Sequence, residues 1–195
     1  MLACASSASR RKRIRRLDAA ERRLLLWPVI IFLAVIILDQ ITKIWAVTAL
    51  SGRPPYQLWG TFVQFTLVYN EGGAMGTQFG SPVMYTVMAL IILPILAWYL
   101  WMHRTQKAIA WPLAFMAAGA VGNLIDRIRL GKVVDFVDVD IPDIHLPFYQ
   151  LDRFWTFNVA DSAITCSLIL LMIQLVFLQK GKPSTAPEPS ETRPS

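Results

Sequence analysis

Residues 24–47 read LLLWPVIIFLAVIILDQITKIWAV, and this stretch decides the fold class of the chain. An α-helix crosses the hydrocarbon core of a bilayer with about 20 mostly apolar residues, so the stretch is long enough to span. Three further segments qualify, at about 83–102, 108–128 and 159–178, and Pro94 is expected to kink the first of these. Hydrophobic residues make up 55% of the 195 residues, above the roughly 45–50% of soluble domains. The sequence therefore predicts an all-α polytopic membrane protein with four transmembrane helices.

The distribution of lysine and arginine predicts how these helices are oriented. Of the 19 basic residues, 13 lie in the N-terminal tail, the turn at 104–107 and the C-terminal tail. Short cytoplasmic loops are enriched in these residues, so both termini are expected in the cytoplasm. The expected layout is a basic tail (1–23), a membrane domain (24–179) and a disordered Pro/Ser-rich tail (180–195).

The basic N-terminal tail has two interpretations. A run of lysines and arginines between Arg10 and Arg23 could bind nucleic acid. No aromatic residue interleaves with this run and a membrane span follows it, so contact with anionic lipid is favoured. The sequence therefore predicts membrane lipid as a partner and no nucleic acid.

A small extracytoplasmic β-sheet is expected in the outer loops. Residues 61–70 (TFVQFTLVYN) alternate in polarity, which is the period of a half-buried strand. One predicted face holds Val63, Phe65, Leu67 and Tyr69, and the other holds Gln64, Thr66 and Asn70. Turn-forming prolines precede this segment and Glu71-Gly72-Gly73 follows it. The second outer loop, at 132–155, begins with a β-branched run that suits a strand.

Seven polar residues lie where the helices should be apolar: Asp39, Gln40, Lys43, Asn123, Asp126, Asn158 and Asp161. Placing Asp or Lys at a helix centre costs about 2.5–3.5 kcal/mol, so such residues usually mark function. The first and third helices run outward and the fourth runs inward. The predicted topology therefore brings all seven residues, together with Asn70, to the outer leaflet.

Helical spacing groups these residues on shared faces. Asp39 and Lys43 are four residues apart, and a structural ion pair is favoured over direct chemistry. Asn158 and Asp161 are three residues apart and also share a face. One stripe of the third helix consists of Gly119, Gly122, Asn123 and Asp126. Its glycines let another backbone approach closely, so they are interpreted as packing residues.

Two carboxylates held close together favour acid–base chemistry. They cannot both ionise readily, so one keeps a proton near neutral pH while the other serves as a base. Such a pair can activate water against an amide and protonate the departing nitrogen. Spacing alone does not decide whether Asp126 or Asp135 is the partner of Asp161.

Other functions fit the pattern less well. The sequence has no HExxH motif, His103 and His145 are expected on opposite sides of the membrane, and Cys166 is mid-span. A proton-coupled transporter would place its carboxylates near the midplane between repeats, and no repeat is visible. A non-catalytic assembly factor, whose polar residues only hold helices together, stays open and would tolerate Asp135→Asn.

Five motifs resemble those of the lipoprotein signal peptidases, the signal peptidase II family. The family patterns are D-Q-x-x-K, N-x-G-A-A-F, G-x-x-G-N-x-x-D-R, G-x-V-V-D-F and F-N-x-A-D. Their counterparts here are DQITK (39–43), NEGGAMG (70–76), GAVGNLIDR (119–127), GKVVDF (131–136) and FNVADS (157–162). The resemblance runs from the first helix to the fourth and omits both tails. Gly73-Ala74-Met75 departs from the family's Ala-Ala-Phe, and Met can fill the same apolar contact as Phe.

The resemblance implies an aspartic endopeptidase of the bacterial cytoplasmic (inner) membrane, with its active site near the outer leaflet. The family's catalytic pair maps onto Asp135 and Asp161. Residues that support this pair, contact substrate or shape the site map onto Asp39, Lys43, Asn70, Gly119, Gly122, Asn123, Asp126, Arg127, Asn158 and Ala160. The implied substrate is a prolipoprotein that carries diacylglycerol on its cysteine and is cut just before that cysteine. No metal or organic cofactor is implied, and a monomer is expected.

Overall fold

The protein is described by a computed structural model that covers residues 2–73, 80–140, 144–146, 149–151 and 154–180. Side chains are described for 26–73, 80–140 and 154–177. The predicted disorder of the tail beyond Lys180 lies outside the described residues, as do Ala74 and Met75 of the second motif.

Four helices form the body of the described part of the chain. They are α1 (Leu2–Leu50), α2 (Pro82–Met102), α3 (Lys107–Leu130) and α4 (Val159–Lys180). Each contains a segment long and apolar enough to cross a membrane. The predicted four-span membrane fold is therefore confirmed. The first helix begins well before the predicted start at residue 24, so the basic tail continues the same helix.

Local sequence signals explain where α2 and α3 begin and end. The Ser81 side chain caps α2 by accepting a hydrogen bond from the Met84 amide, and Pro82 occupies the first helical turn, where its missing N–H costs nothing. The helix continues through Pro94. Gly131 ends α3 in the left-handed conformation, with φ of 72°, which a side chain would disfavour.

The central helix is α3, which packs against α1, α2 and α4. Its glycines allow this close approach. A Cβ added at Gly119 would collide with the carbonyl oxygen of Ala160, and one added at Gly122 would lie 2.6 Å from the Asp39 carboxylate. Ala160 is itself fully buried. The prediction that these glycines are packing residues is therefore confirmed, and the packing brings the polar ends of α1, α3 and α4 together.

A three-stranded antiparallel sheet joins the loops between the helices. Its strands are β1 (Tyr56–Trp59), β2 (Val63–Asn70) and β3 (Val133–Val139), in that spatial order. A separate hairpin is formed by β4 (Ile144–Leu146) and β5 (Tyr149–Leu151). Because β2 follows α1 and β3 follows α3, their pairing puts both loops on one side of the helices. The predicted small sheet is therefore confirmed.

A β-bulge in β2 changes which residues face the helices. Phe65 pairs with Val137 and Val68 pairs with Asp135, so three steps on β2 match two on β3. Phe65 packs on a buried cluster near the end of α1, whereas Tyr69 beyond the bulge is 41% exposed. The prediction that Tyr69 shares this apolar face is wrong, because the extra residue breaks the alternation.

The same bulge separates Asn70 from the polar side chains with which it was grouped. Gln64 and Thr66 donate hydrogen bonds to Asp138, whereas Asn70 donates to Asp135. Asp135 and Asp138 are three residues apart on β3 and therefore lie on opposite faces of the sheet. Asn70 thus lies on the face opposite to that predicted from simple alternation.

Candidate active site

Backbone pairing at the free edge of β3 brings the start of α4 to the sheet. The Phe157 amide donates to the Val137 carbonyl at 2.9 Å, and the Val137 amide donates back to the Phe157 carbonyl at 2.8 Å. Asn158 directly follows Phe157. The bridge therefore holds Asn158 beside Asp135, which lies on β3 two residues before Val137. This bridge brings the fourth and fifth motifs together.

Asp135 is a buried carboxylate of β3, with 2% of its surface exposed. It accepts hydrogen bonds from the Asn70 side-chain amide at 3.0 Å and from that of Asn158 at 2.7 Å. Burial, reinforced by the negative charge of Asp161, raises the pKa of Asp135 to about 7. Asp135 is therefore suited to carry a proton near neutral pH.

Asp161 lies in the first turn of α4 and is held by reciprocal capping. The Asp161 amide donates to the Asn158 side-chain oxygen at 2.9 Å, and the Asn158 amide donates to the Asp161 carboxylate at 3.2 Å. The Asn123 side chain of α3 donates to the other carboxylate oxygen at 2.8 Å. These three hydrogen bonds fix the orientation of the carboxylate.

Asn158 links the two carboxylates directly, because it donates to Asp135 through its side chain and to Asp161 through its backbone. It is fully buried and also donates to the Asn123 oxygen at 3.1 Å. The two carboxylates and the two asparagines therefore form one connected group. The structure brings these four residues and Asn70 together. Topology predicted this convergence for Asn70, Asn123, Asn158 and Asp161, and Asp135 was expected there only from the family resemblance.

Beneath this group lies a buried ion network centred on Lys43. Its ammonium lies 2.9 Å from the carboxylates of both Asp39 and Asp126, and it donates to the Asn123 oxygen at 2.9 Å. The predicted Asp39–Lys43 ion pair is present, and Asp126 makes it a three-residue network. Asp126 also accepts from the Val134 amide at 3.1 Å. Both oxygens of the Asp126 carboxylate are therefore occupied by contacts within the protein.

Asp39 connects α1 to the start of α4. Its carboxylate accepts a hydrogen bond from the Ala160 amide at 2.9 Å, one of the first-turn N–H groups that a helix leaves unpaired. Gln40 donates to both Asp39 and Asp126 at 3.2 Å. Gln40 is one of the polar residues predicted to converge, but its contacts with both carboxylates were not predicted. The signal for them was its position beside Asp39 in the sequence.

Arg127 fixes the loop that follows β2. Its guanidinium donates to the Gly72 carbonyl at 3.0 Å and lies over the Tyr85 ring, 5.8 Å from the centroid. The Gly72 amide donates to the Asn70 side-chain oxygen at 2.8 Å, which closes a turn. Arg127 therefore positions the residues that surround Asn70.

Each of the two carboxylates lines a cavity of its own. The first, here called the apolar cleft, has a volume of about 530 Å³ and lies between α2, α3 and α4, with Met88, Ile92, Ile164 and Asp161 in its wall. The second, here called the polar cavity, has a volume of about 670 Å³ and opens on the sheet side beside Asp135.

A short segment, 154–156, lines both cavities and was not identified from the sequence. Its aromatic residues directly precede the fifth motif, but nothing in their spacing indicates a cavity wall. Within the described part of the chain, no group of three or more His, Cys, Asp or Glu side chains is arranged to hold a metal ion.

Comparison with known proteins decides the family. A family model described as Signal peptidase (SPase) II matches residues 31–177. The chain belongs to the signal peptidase II family. Membership makes it a protease, and therefore a hydrolase. Together with the four membrane helices, it makes the chain a multi-pass bacterial membrane protein. Nothing in the comparisons supports a transporter.

Individual relatives agree with this assignment. A lipoprotein signal peptidase of Syntrophus aciditrophicus is 34% identical over 165 residues, covering 80% of this chain and 98% of the relative. One from Coxiella burnetii is 36% identical over 164 residues, covering 80% and 94%. A solved bacterial membrane enzyme structure at 2.3 Å resolution superimposes with a TM-score of 0.67 at 28% identity, covering 83% of this chain and 94% of that one.

Proposed function

We propose that this family member is an aspartic endopeptidase that removes signal peptides from diacylglyceryl-modified prolipoproteins, cutting just before the lipidated cysteine. One observation carries the proposal. The carboxylates of Asp135 and Asp161 share Asn158 as a hydrogen-bond donor, and Asp161 lines the apolar cleft while Asp135 lines the polar cavity. The relatives named above are lipoprotein signal peptidases, which supports the same substrate class.

The chemistry divides between the two carboxyl groups. Asp135, with its pKa near 7, holds the proton, and Asp161 accepts a proton from water as the water oxygen bonds to the scissile carbonyl carbon. Asp135 donates its proton to the carbonyl oxygen. When the C–N bond breaks, Asp161 passes its proton to the departing nitrogen and Asp135 takes its proton back. The pair is then ready for another cycle.

Supporting roles follow from the contacts. Asn70, Asn123 and Asn158 orient the two carboxylates, and Arg127 holds the loop beside them. Lys43, with its partners Asp39 and Asp126, fixes Asn123 from below. Ala160, Gly119 and Gly122 provide the close packing that brings α4 to α3.

The membrane setting fits this substrate. An apolar signal segment and acyl chains suit the cleft between the helices, and water reaches the carboxylates from the polar cavity. We propose that both termini are cytoplasmic, that the carboxylates lie near the outer leaflet, and that the enzyme acts as a monomer in contact with membrane lipid. The excess of basic residues in the two tails supports this orientation.

The experiment that tests the proposal is cleavage of a purified, diacylglyceryl-modified prolipoprotein by the enzyme in lipid bilayers. We expect a single cut before the lipidated cysteine, identified by mass spectrometry, and little cleavage of the same precursor without the lipid. An enzyme that leaves the lipidated precursor intact, or cuts both precursors equally, contradicts the proposed substrate.

Replacing Asn70 by Ala should move the alkaline limb of the profile of kcat/KM against pH to higher pH. The Asn70 hydrogen bond lowers the pKa of Asp135 by stabilising the ionised form, so its loss raises that pKa. Activity requires protonated Asp135 and is lost as pH rises through its pKa, so the limb should move to higher pH. We expect kcat/KM at neutral pH to fall about tenfold, because the carboxylate loses one fixed donor.

Gln64→Ala is the matched control for this shift. Gln64 is also an amide side chain on β2, but it donates to Asp138. The alkaline limb should stay in place in this variant. A limb that moves equally in both variants would mean that Asn70 acts only through the stability of the strand.

A further inference from the structure

The polar cavity carries one carboxylate that the proposed chemistry does not use. Glu71 lines this cavity and is exposed, and it directly follows Asn70, which donates to Asp135. A charged group that lines the same cavity as Asp135 acts on whatever part of the substrate passes through that cavity.

The backbone at Glu71 is held firmly although its side chain is exposed. The Gly72 amide donates to the Asn70 side chain, and the Gly72 carbonyl accepts from Arg127. The backbone that carries the Glu71 side chain is therefore held by contacts of the residues on either side of it. This keeps the carboxylate at the polar cavity that Asp135 also lines.

The charge of Glu71 is not neutralised by its cross-strand neighbour. The ladder ends with the pair Asn70 and Val133, and Glu71 and Lys132 are the next residues along the two strands. The Lys132 ammonium instead lies over the Tyr69 ring, 4.2 Å from its centroid. Among the side chains that the structure describes, no ion pair forms with Glu71. The carboxylate therefore remains available to a substrate group.

The two cavities define a direction for the substrate chain. The apolar cleft suits the signal segment, because its walls are the membrane helices α2, α3 and α4. The scissile bond lies at the carboxylates, and the chain beyond it must leave through the polar cavity. This inference rests on the proposed function and deepens it.

We propose that Glu71 is a specificity-determining residue that favours a cationic residue, and disfavours an acidic one, directly after the lipidated cysteine. The effect is electrostatic and acts across a solvated cavity, so it is modest. We expect kcat/KM to be roughly fivefold higher for a precursor with Lys at that position than for one with Glu. The preference should shrink at about 1 M salt, because mobile ions screen exposed charges over a few ångströms.

The test uses three diacylglyceryl-modified precursors that carry Lys, Gln or Glu directly after the cysteine, with the full-length enzyme in bilayers of neutral lipid. Glu71→Gln should bring the Lys-to-Glu ratio of kcat/KM close to one, and Glu71→Lys should invert it. Asp140→Asn is the control, because it removes one negative charge just beyond the end of β3 that is farther from Glu71. The ratio should remain at its wild-type value in that variant.

The outcomes separate this inference from the proposed function. If the wild-type enzyme cleaves all three precursors equally, or if Glu71→Gln keeps the wild-type ratio, the role of Glu71 is wrong and the peptidase assignment stands. If none of the three precursors is cleaved, the proposed function itself fails. A ratio that changes equally in Glu71→Gln and Asp140→Asn would assign the effect to net charge on the outer face.

Discussion

Asp135→Asn and Asp161→Asn should each lower kcat for the lipidated precursor by roughly 10³-fold. Each substitution keeps the size of the side chain and removes its acid–base function. Asparagine can neither hold the proton that Asp135 donates nor accept the proton that Asp161 takes from water. The measurement is single-turnover cleavage at saturating enzyme, with precursor binding and the thermal unfolding midpoint recorded for each variant.

The control for both variants is Asp138→Asn. Asp138 is also a buried carboxylate of β3, but it lies on the opposite face and accepts from Gln64 and Thr66. The Asp138→Asn variant should lose far less activity than Asp135→Asn and Asp161→Asn. If Asp135→Asn and Asp161→Asn cut at the wild-type rate, these residues are not the catalytic pair, and the carboxylate of Asp126 becomes the next candidate.

Lys43→Met should have the largest effect on stability. The substitution leaves the carboxylates of Asp39 and Asp126 close together without their shared cation, in a region where Asp39 is fully buried. Removing one partner of a buried ion pair costs about 3–5 kcal/mol, so we expect a loss of that order in the free energy of unfolding. Activity should fall as well, because Asn123 loses the ammonium that orients it against Asp161.

A second substitution distinguishes the ionic role of Lys43 from its bulk. The double variant Lys43→Met, Asp39→Asn leaves only the Asp126 carboxylate without its cation. It should therefore recover part of the stability that Lys43→Met loses. Lys132→Met, which removes a partly exposed cation, serves as the control and should unfold close to the wild-type midpoint. The measurement is unfolding in detergent or bilayers. Wild-type stability in Lys43→Met would show that the network is energetically neutral.

The sequence predicted the features that depend on local periodicity. Apolar length located the four helices, and spacing of four residues located the ion pair of Asp39 and Lys43. Successive spans cross the membrane in alternating directions. The late residues of the first and third helices and the early residues of the fourth were therefore predicted to lie at the same side of the membrane. These features need no knowledge of long-range contacts.

The choice between Asp126 and Asp135 could not be predicted from spacing, because it depends on contacts between distant segments. Lys43 reaches Asp126 across 83 positions in the chain, and Asn70 reaches Asp135 across 65. The second contact depends further on the bulge that turns Asn70 to the other face of β2. Only the family resemblance selected Asp135 beforehand, and the hydrogen bonds on Asp126 now provide a physical reason.

The backbone bridge between Val137 and Phe157 has a consequence for how the family can diverge. Its two hydrogen bonds close the loop after β3 at its base, so Asn158 stays beside Asp135 whatever the length of chain between them. Insertions and deletions between about 140 and 153 should therefore leave the catalytic geometry intact. The length of this loop can therefore change without moving Asn158 relative to Asp135, as is usual for loops that a rigid scaffold holds at their base.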